Sequence, residues 1–422
     1  MIADEEIKIL EEETYEELEM EAETDSALPL PGRFRRVAML IVKGYWGVAF
    51  CAANFPLFSI AVFGWLYRHL RRQVRSQWWK ASAVHKKGTS FREFAVQNES
   101  LHPFAHWPNW FAAQNFRDAW RKRGDVARAA GWGRFARIRH TAKLPVASLG
   151  LNFKIGVQGL FNTWVLTLPA GALWVFSWYA GWNNSFHKGY EQAGVGPLTG
   201  LFGVALFITA MFYVPIAQAR QASTGNWRSF YEFRTVRQII KSQWPLCFLL
   251  AGAFALFALP IKIFTTIPGF LDQINPAILE MNHAALVDYI QAYYFRVALM
   301  GFALLVLIRF LAAKVYARGV IACVRKGTIS AEALGESECE ALRLLGLSEP
   351  QIVAQRSAPA KVFGTSLWNF GRVGAGVAAA AIWFAFIAQI YVTQFLYYRP
   401  VFGFMNHPLV HLPWFFYLPG GG

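Results

Sequence analysis

Two histidines near the C-terminal end have a spacing that a metal site can use. His407 and His411 form H-x-x-x-H, which on a helix places both imidazoles on one face. Pro408 and Pro413 oppose a regular helix at this point, and no third ligand lies nearby in the sequence. The aromatic run 414–417 fits a membrane-interface belt better. We therefore expect no metal site.

The familiar catalytic and nucleotide-binding signatures are missing from the sequence. It contains no Walker loop, G-x-S-x-G elbow, H-E-x-x-H or dinucleotide glycine pattern, and no paired carboxylates in an apolar setting. The four cysteines are widely spaced and form no C-x-x-C pair, so they indicate neither a disulfide framework nor zinc binding. The sequence thus predicts no catalytic residues, no cofactor and no enzymatic activity.

A basic, Trp-rich stretch over residues 68–154 offers the most distinctive candidate surface, with eighteen Lys and Arg against four acidic residues. Pro108 can open a helix that carries aromatic side chains on one face and cations on the other, and such a helix lies in the headgroup plane. The predicted lipid-surface residues are Trp110, Phe116, Arg117, Trp120, Arg121 and Lys122. Anionic headgroups are the expected partner, and the simplest role is to anchor and orient the protein. Nucleic acid uses similar residues, but we do not expect it as a partner.

Polar and small residues within the apolar runs indicate helix packing. We expect hydrogen bonds between helices from a set of polar residues in the second run, Asn152, Gln158, Asn162 and Thr163. Gly196 and Gly200 suit close helix contact of the small-xxx-small type.

Three cations, Lys262, Arg296 and Arg309, lie near the ends of apolar runs. Their long side chains are expected to reach the membrane interface.

Long charge-free runs decide the fold class. The chain has 422 residues, of which 55% are hydrophobic and only 16% charged, whereas soluble proteins carry about 25% charged residues. A bilayer crossing needs roughly 20 mainly apolar residues, and the runs here are continuous rather than alternating. We predict an all-α polytopic membrane protein with about six membrane segments and additional interfacial amphipathic helices. The segments are 44–67, 155–182, 195–217, 244–264, 293–311 and 373–395.

The charge of the connecting loops predicts the topology. Loops 68–154, 218–243 and 312–372 are basic, whereas loop 265–291 has no Lys or Arg. Because basic loops stay in the cytoplasm, the last five segments alternate consistently. The first segment has Asn-Phe-Pro near its middle, so it either crosses once or turns back as a re-entrant hairpin.

The same reading divides the chain into seven parts. They are an acidic tail 1–32, a first membrane segment 33–67, the basic loop 68–154, a four-span region 155–311, a small helical loop 312–372, a last span 373–395 and an aromatic interfacial stretch 396–422.

Two S-x-x-E patterns predict helix starts within the basic loops. Ser229 with Glu232 would begin an interfacial helix, and Ser337 with Glu340 would begin a short helix in the third basic loop. Ser348 with Gln351 gives a similar S-x-x-Q start.

Two stretches resemble a bacterial family of polytopic membrane proteins catalogued as domain of unknown function 4013. They are FPLFSIAVFGWLYRHLRRQVR, residues 55–75, and FYVPIAQARQASTGNWRSFYEFRTVRQIIKSQW, residues 212–244. The resemblance implies a multi-pass protein of the bacterial inner membrane. It supplies no active site, because none is established for the family.

These observations favour a non-enzymatic membrane component, either a scaffold or an accessory subunit that assembles with other membrane subunits. The alternative is a transporter or channel for a lipid or small solute. It would need a polar cavity between spans, lined by residues such as Asn152, Gln158, Asn162 and Arg296.

Overall fold

The computed structural model describes residues 56–88, 90–98, 101, 131, 133–177, 195–350, 373–374, 377, 407, 409–410 and 412. Within these residues the chain is all-helical and contains no strand, as the sequence predicts. The α-helices are α1 Pro56–Ala81, α2 Phe91–Val96, α3 Arg134–Ser177, α4 Val195–Thr224, α5 Phe233–Ser242, α6 Trp244–Thr266, α7 Leu271–Ile274, α8 His283–Arg325 and α9 Glu336–Leu344. Short 3₁₀ turns are Val84–Lys87, Trp227–Tyr231, Ile267–Phe270, Pro276–Glu280 and Ala331–Ala333.

Three stretches of helix are long and apolar enough to cross a bilayer. They are Leu198–Thr224 in α4, Trp244–Ile261 in α6 and His283–Arg325, which is the whole of α8. They overlap three of the predicted runs, and large apolar side chains on them are exposed, as expected for surfaces that meet lipid. These side chains include Leu198, Leu201, Phe202, Leu249, Leu256 and Leu307. The protein is therefore associated with a membrane.

The basic loop predicted for residues 68–154 is helical at both ends. The described part of α1 runs without a break from Pro56 to Ala81, while α3 begins at Arg134. Residues 44–55 lie outside the described part, so the choice between a crossing and a hairpin stays open.

A crossing of α1 and α3 brings two backbones into direct contact. A Cβ atom on Gly64 would lie 1.8 Å from the carbonyl oxygen of Asn152, and one on Gly156 would lie 2.0 Å from that of Ile60. Any side chain at either position would force the helices apart. Glycine is therefore required by the packing at this crossing.

Glycines also permit the close packing of α3 against α4 that the sequence predicts. The Ser177 hydroxyl at the end of α3 donates to the carbonyl of Gly196. A Cβ atom on Gly200, one turn later, would lie 2.8 Å from the same hydroxyl oxygen. Gly200 thus serves as a packing position, as predicted, whereas Gly196 contributes its backbone carbonyl.

The predicted capping box at Ser229 and Glu232 is wrong, although a helix does follow it. Ser229 is buried within a 3₁₀ turn whose cap is Asn226, which accepts from the Arg228 backbone N–H at 3.0 Å. Glu232 precedes α5 without capping it, because its carboxylate binds Arg220 instead.

The second predicted start is also displaced. Helix α9 begins at Glu336 after Gly335, with no side-chain cap. Ser337 therefore lies inside the first turn, where its hydroxyl accepts from Arg75 at 3.1 Å. The pattern at Ser348 cannot be compared, because Gln351 lies outside the described residues.

We predict that Gly64→Ala lowers the thermal stability of the detergent-purified protein. Overpacking a close contact costs about 1–3 kcal/mol, and here the obstacle is backbone, which cannot rotate away. Gly150→Ala is the matched control, because a Cβ atom at this position of α3 meets nothing within 4 Å. Equal melting temperatures for the two variants would contradict the crossing.

Candidate functional site

Three basic stretches meet at one end of the helix bundle, which we call the basic end (residues 68–81, 220–243 and 314–347). The Trp78 indole N–H in α1 donates to the Ala317 carbonyl in α8 at 3.2 Å. The Ser242 hydroxyl in α5 lies 3.3 Å from the Gly319 carbonyl. Segments far apart in the sequence are therefore held together here by direct contacts.

A buried ion pair lies at the centre of the basic end. Arg220 in α4 donates to the carboxylate of Glu338 in α9, and both side chains are almost fully buried. Arg220 also binds Glu232 at 2.8 Å from its other terminal nitrogen. Glu338 accepts further hydrogen bonds from Tyr316, at 2.9 Å, and from Ser223. Two carboxylates thus compensate for the loss of water around the Arg220 guanidinium, and two hydroxyl groups do so for the Glu338 carboxylate.

Arg75 connects α1 to the same network. Its guanidinium donates to the hydroxyl of Ser223 at 3.4 Å and to that of Ser337 at 3.1 Å. It also stacks over the Trp78 ring, with its central carbon 4.5 Å from the ring centroid. These contacts tie α1, α4 and α9 to one another.

A layer of amides lies next to the ion pair, where α3 meets α4. The Asn162 amide donates to the Gln221 side chain at 3.0 Å and to the Trp227 carbonyl at 2.9 Å. It accepts from the Tyr231 hydroxyl at 3.0 Å. Burial raises the pKa of Tyr231, so this hydroxyl keeps the proton that it donates.

The hydrogen bonds predicted for the second apolar run are confirmed at three of its four positions. Besides Asn162, Asn152 accepts from Arg68 at 2.9 Å, and Thr163 accepts from Gln218 at 2.8 Å. Gln158 is half-buried.

The prediction that Arg309 reaches the membrane interface is wrong. Its side chain is only 2% exposed. It donates to the Gln218 side chain and, at 3.1 Å, to the Leu409 carbonyl. The rings of Phe63 and Phe254 lie 5.0 and 5.6 Å from its central carbon. Arg296, by contrast, is exposed, and the Lys262 side chain lies outside the description.

Part of the C-terminal stretch packs into the bundle beside Arg309. Leu409 and Val410 are fully buried. His407 accepts from the Leu409 backbone N–H at its Nδ1 atom, 3.3 Å away, and its Nε2 atom lies 3.0 Å from the Thr167 hydroxyl. Both imidazole nitrogens therefore have partners within the protein. His411 and the aromatic run 414–417 lie outside the described residues.

The predicted lipid-surface helix cannot be placed, because the whole of residues 102–130 lies outside the described part. This range contains Trp110, Phe116, Arg117, Trp120, Arg121 and Lys122. Two other tryptophans of the predicted loop, Trp78 and Trp79, are buried in the core rather than at the surface. Trp79 packs against His85 and Phe91, with ring centroids 4.3 and 5.9 Å apart.

Comparison with known proteins identifies no relative. No family model matches the chain, and no curated protein or solved structure matches it. The resemblance to the uncharacterised bacterial family therefore stays an expectation. The role of the network has to be inferred from its own geometry.

Sequence reasoning missed the ion pair because its partners are 118 positions apart. Arg220 counted only as one charge of the basic loop 218–243, and Glu338 as one acid of the basic loop 312–372. The available signal was that Arg220 follows an apolar run directly, where its side chain has to find a partner or reach water.

We predict that Glu338→Gln destabilises the protein strongly. Removing one partner of a buried ion pair costs about 3–5 kcal/mol, and Glu232 retains part of the charge compensation, so we expect a loss near the lower value. Thermal unfolding in detergent measures the effect. Glu340→Gln is the control, because Glu340 is exposed on the same helix. Similar stability of both variants would show that Glu338 is not a partner of Arg220.

Proposed function

We propose that this chain is a non-enzymatic, multi-pass protein of the bacterial inner membrane that acts as a scaffold or accessory subunit of a membrane assembly. One observation carries the proposal: the buried polar side chains of the basic end bind one another. Arg75, Arg220 and Glu338 use their hydrogen-bonding groups to connect α1, α4, α8 and α9. Such a network holds the helices in fixed positions, which suits a rigid surface on which other membrane subunits dock.

The proposed topology has about six segments, with the basic end in the cytoplasm. Two observations support it. The basic stretches come together at one end, as the positive-inside rule requires. The 265–291 connection, by contrast, contains no Lys or Arg. It lies at the opposite ends of α6 and α8, where the Tyr293 hydroxyl donates to the Phe264 carbonyl at 2.8 Å.

The proposed partners are anionic lipids and other membrane subunits. Exposed cations on α5, Arg234, Arg237 and Lys241, lie on the same helix as an exposed Phe233. The Phe233 ring stacks on Tyr213 of α4, with centroids 5.2 Å apart. This combination of aromatic and cationic side chains beside an apolar helix suits the membrane interface.

We expect extraction in a mild detergent to yield the chain within a larger assembly. The measurement is the mass of the complex by native mass spectrometry or by light scattering with size exclusion. Reconstitution of the purified chain alone into liposomes is the control. A single copy with no companion in native extracts would count against a scaffold or accessory role.

Cysteine labelling tests the topology in a background with all four native cysteines replaced. Leu279→Cys should react with an impermeant maleimide added to intact spheroplasts, because Leu279 is 73% exposed in the non-basic connection. Lys326→Cys, exposed at the basic end, should react only after the membrane is opened. Labelling of both from one compartment would overturn the arrangement.

The second candidate function is transport of a lipid or small solute. The residues proposed from the sequence give it little support, because Asn152 and Asn162 are bound to neighbouring side chains and Arg296 is exposed. Buried Arg309 favours it instead, since intramembrane charge usually marks a functional site. Flux measured in liposomes separates transport from a purely structural role.

A further inference from the structure

Arg309 is a buried cation that has only neutral partners among the described residues. Its terminal nitrogens donate to the Gln218 amide and to the Leu409 carbonyl, and aromatic rings lie on either side. Arg220, which is equally buried, binds two carboxylates. An uncompensated charge in an apolar interior is costly, so the absence of a described counter-charge at Arg309 requires an explanation.

Two buried hydrogen-bond donors at this place are available to a ligand. The Nε atom of Arg309 is buried and has no hydrogen-bond partner in the described part of the chain. The Tyr67 hydroxyl on α1 is equally buried and makes no well-aligned hydrogen bond there. Its neighbour is the Thr163 hydroxyl, which already accepts from Gln218. Tyr67 and Arg309 lie against the same ring, because the Phe63 centroid is 5.2 Å from the Tyr67 centroid and 5.0 Å from the central carbon of Arg309. Buried donors of this kind usually have a partner. An oxygen anion would accept from both.

The geometry of the guanidinium favours a carboxylate. The Nε–H and one N–H of the Nη2 group point along the same edge, which fits the two oxygens of a carboxylate. At Arg309 the Nη2 atom is held by the Leu409 carbonyl, 3.1 Å away, while Nε is free. A carboxylate bound along this edge would replace the Leu409 carbonyl at Nη2 and accept a second hydrogen bond from Nε.

The local charge favours a ligand with a single negative charge. The next buried cation, Arg220, contacts Tyr316, which lies seven residues beyond Arg309 on α8. At 1.5 Å per residue, Arg309 and Tyr316 are about 10 Å apart along the axis of α8, so we assign the ligand to Arg309 alone. The rings of Phe63 and Phe254 would contact an apolar remainder of the ligand.

We propose that Arg309 and Tyr67 form a binding site for the carboxylate group of an apolar monocarboxylate, covered by the segment that contains His407, Leu409 and Val410. Such a ligand can come from water, as a small aromatic acid, or from the bilayer, as a fatty acid. The site does not depend on the assembly proposal, because a subunit with or without partners could hold the ligand.

The test uses the full-length protein, purified in a non-ionic detergent, with benzoate and laurate as probes. Benzamide and lauryl alcohol are their neutral counterparts. We expect saturable binding of at least one acid by microscale thermophoresis and an increase in melting temperature. Binding of benzoate identifies the aqueous source, and binding of laurate alone identifies the bilayer. Failure of both acids, or equal binding of the neutral compounds, would overturn the proposal.

Variants locate the site on the protein. Arg309→Gln should abolish acid binding, whereas Arg296→Gln, which removes an exposed cation of the same helix, should leave it unchanged. Tyr67→Phe should weaken binding about tenfold, the equivalent of one hydrogen bond to a charged group. Because Thr163, the neighbour of the Tyr67 hydroxyl, keeps its hydrogen bonds with Gly159 and Gln218, this variant should fold even if Arg309→Gln does not. Unaltered affinity in Tyr67→Phe, or in a folded Arg309→Gln, would contradict the assignment.

Discussion

Arg220 carries a permanent positive charge into the interface of α4, α8 and α9, where its side chain is almost fully buried. Moving an ion out of water costs several kcal/mol even after the protein relaxes, so this charge needs close partners. Its partners, Glu232 and Glu338, come from two different segments that follow separate apolar helices. The same guanidinium therefore positions both the start of α5, through Glu232, and α9, through Glu338.

The ion pair is one layer of a larger polar interior whose layers depend on one another. Gly64 and Gly156 let α1 approach α3 closely, and this approach places Arg68 within 2.9 Å of Asn152. On the other side of α3, the Asn162 amide donates a hydrogen bond to the Gln221 side chain of α4. Polar groups in an apolar bundle are costly when unpaired and stabilising when paired. The close spacing of the helices and the pairing of their polar side chains therefore depend on each other.

The helices could be predicted from the sequence because continuous apolar length is a local property. Four of the predicted runs correspond to α3, α4, α6 and α8, and interhelical hydrogen bonds were predicted correctly at Asn152, Asn162 and Thr163. Polar side chains on apolar helices have few solutions other than pairing, which explains this success.

The failures share a different cause. Glu232 and Ser337 fit capping patterns, but arginines of other helices, Arg220 and Arg75, bind them instead. A charge-assisted hydrogen bond in a buried place outweighs a cap at an exposed helix end. The close helix contact at Gly64 could not be predicted from the sequence, because it depends on which helix backbone crosses this position. Tertiary contacts between separate helices leave no local pattern in the sequence.

Arg220 and Arg309 show that equal burial can serve different purposes. Arg220 is compensated within the chain, and its neighbours define a platform. At Arg309 an apolar side chain would suit the surrounding rings at less cost, so a structural role alone does not account for an arginine there. Gln218 and Arg220 are two positions apart on α4, and Arg309 and Tyr316 are two turns apart on α8. Any shift of α4 or α8 on binding an anion at Arg309 would therefore reach the Arg220–Glu338 pair directly. A docking platform at Arg220 and a ligand site at Arg309 are therefore compatible, since the platform can respond to a ligand bound within the helix bundle.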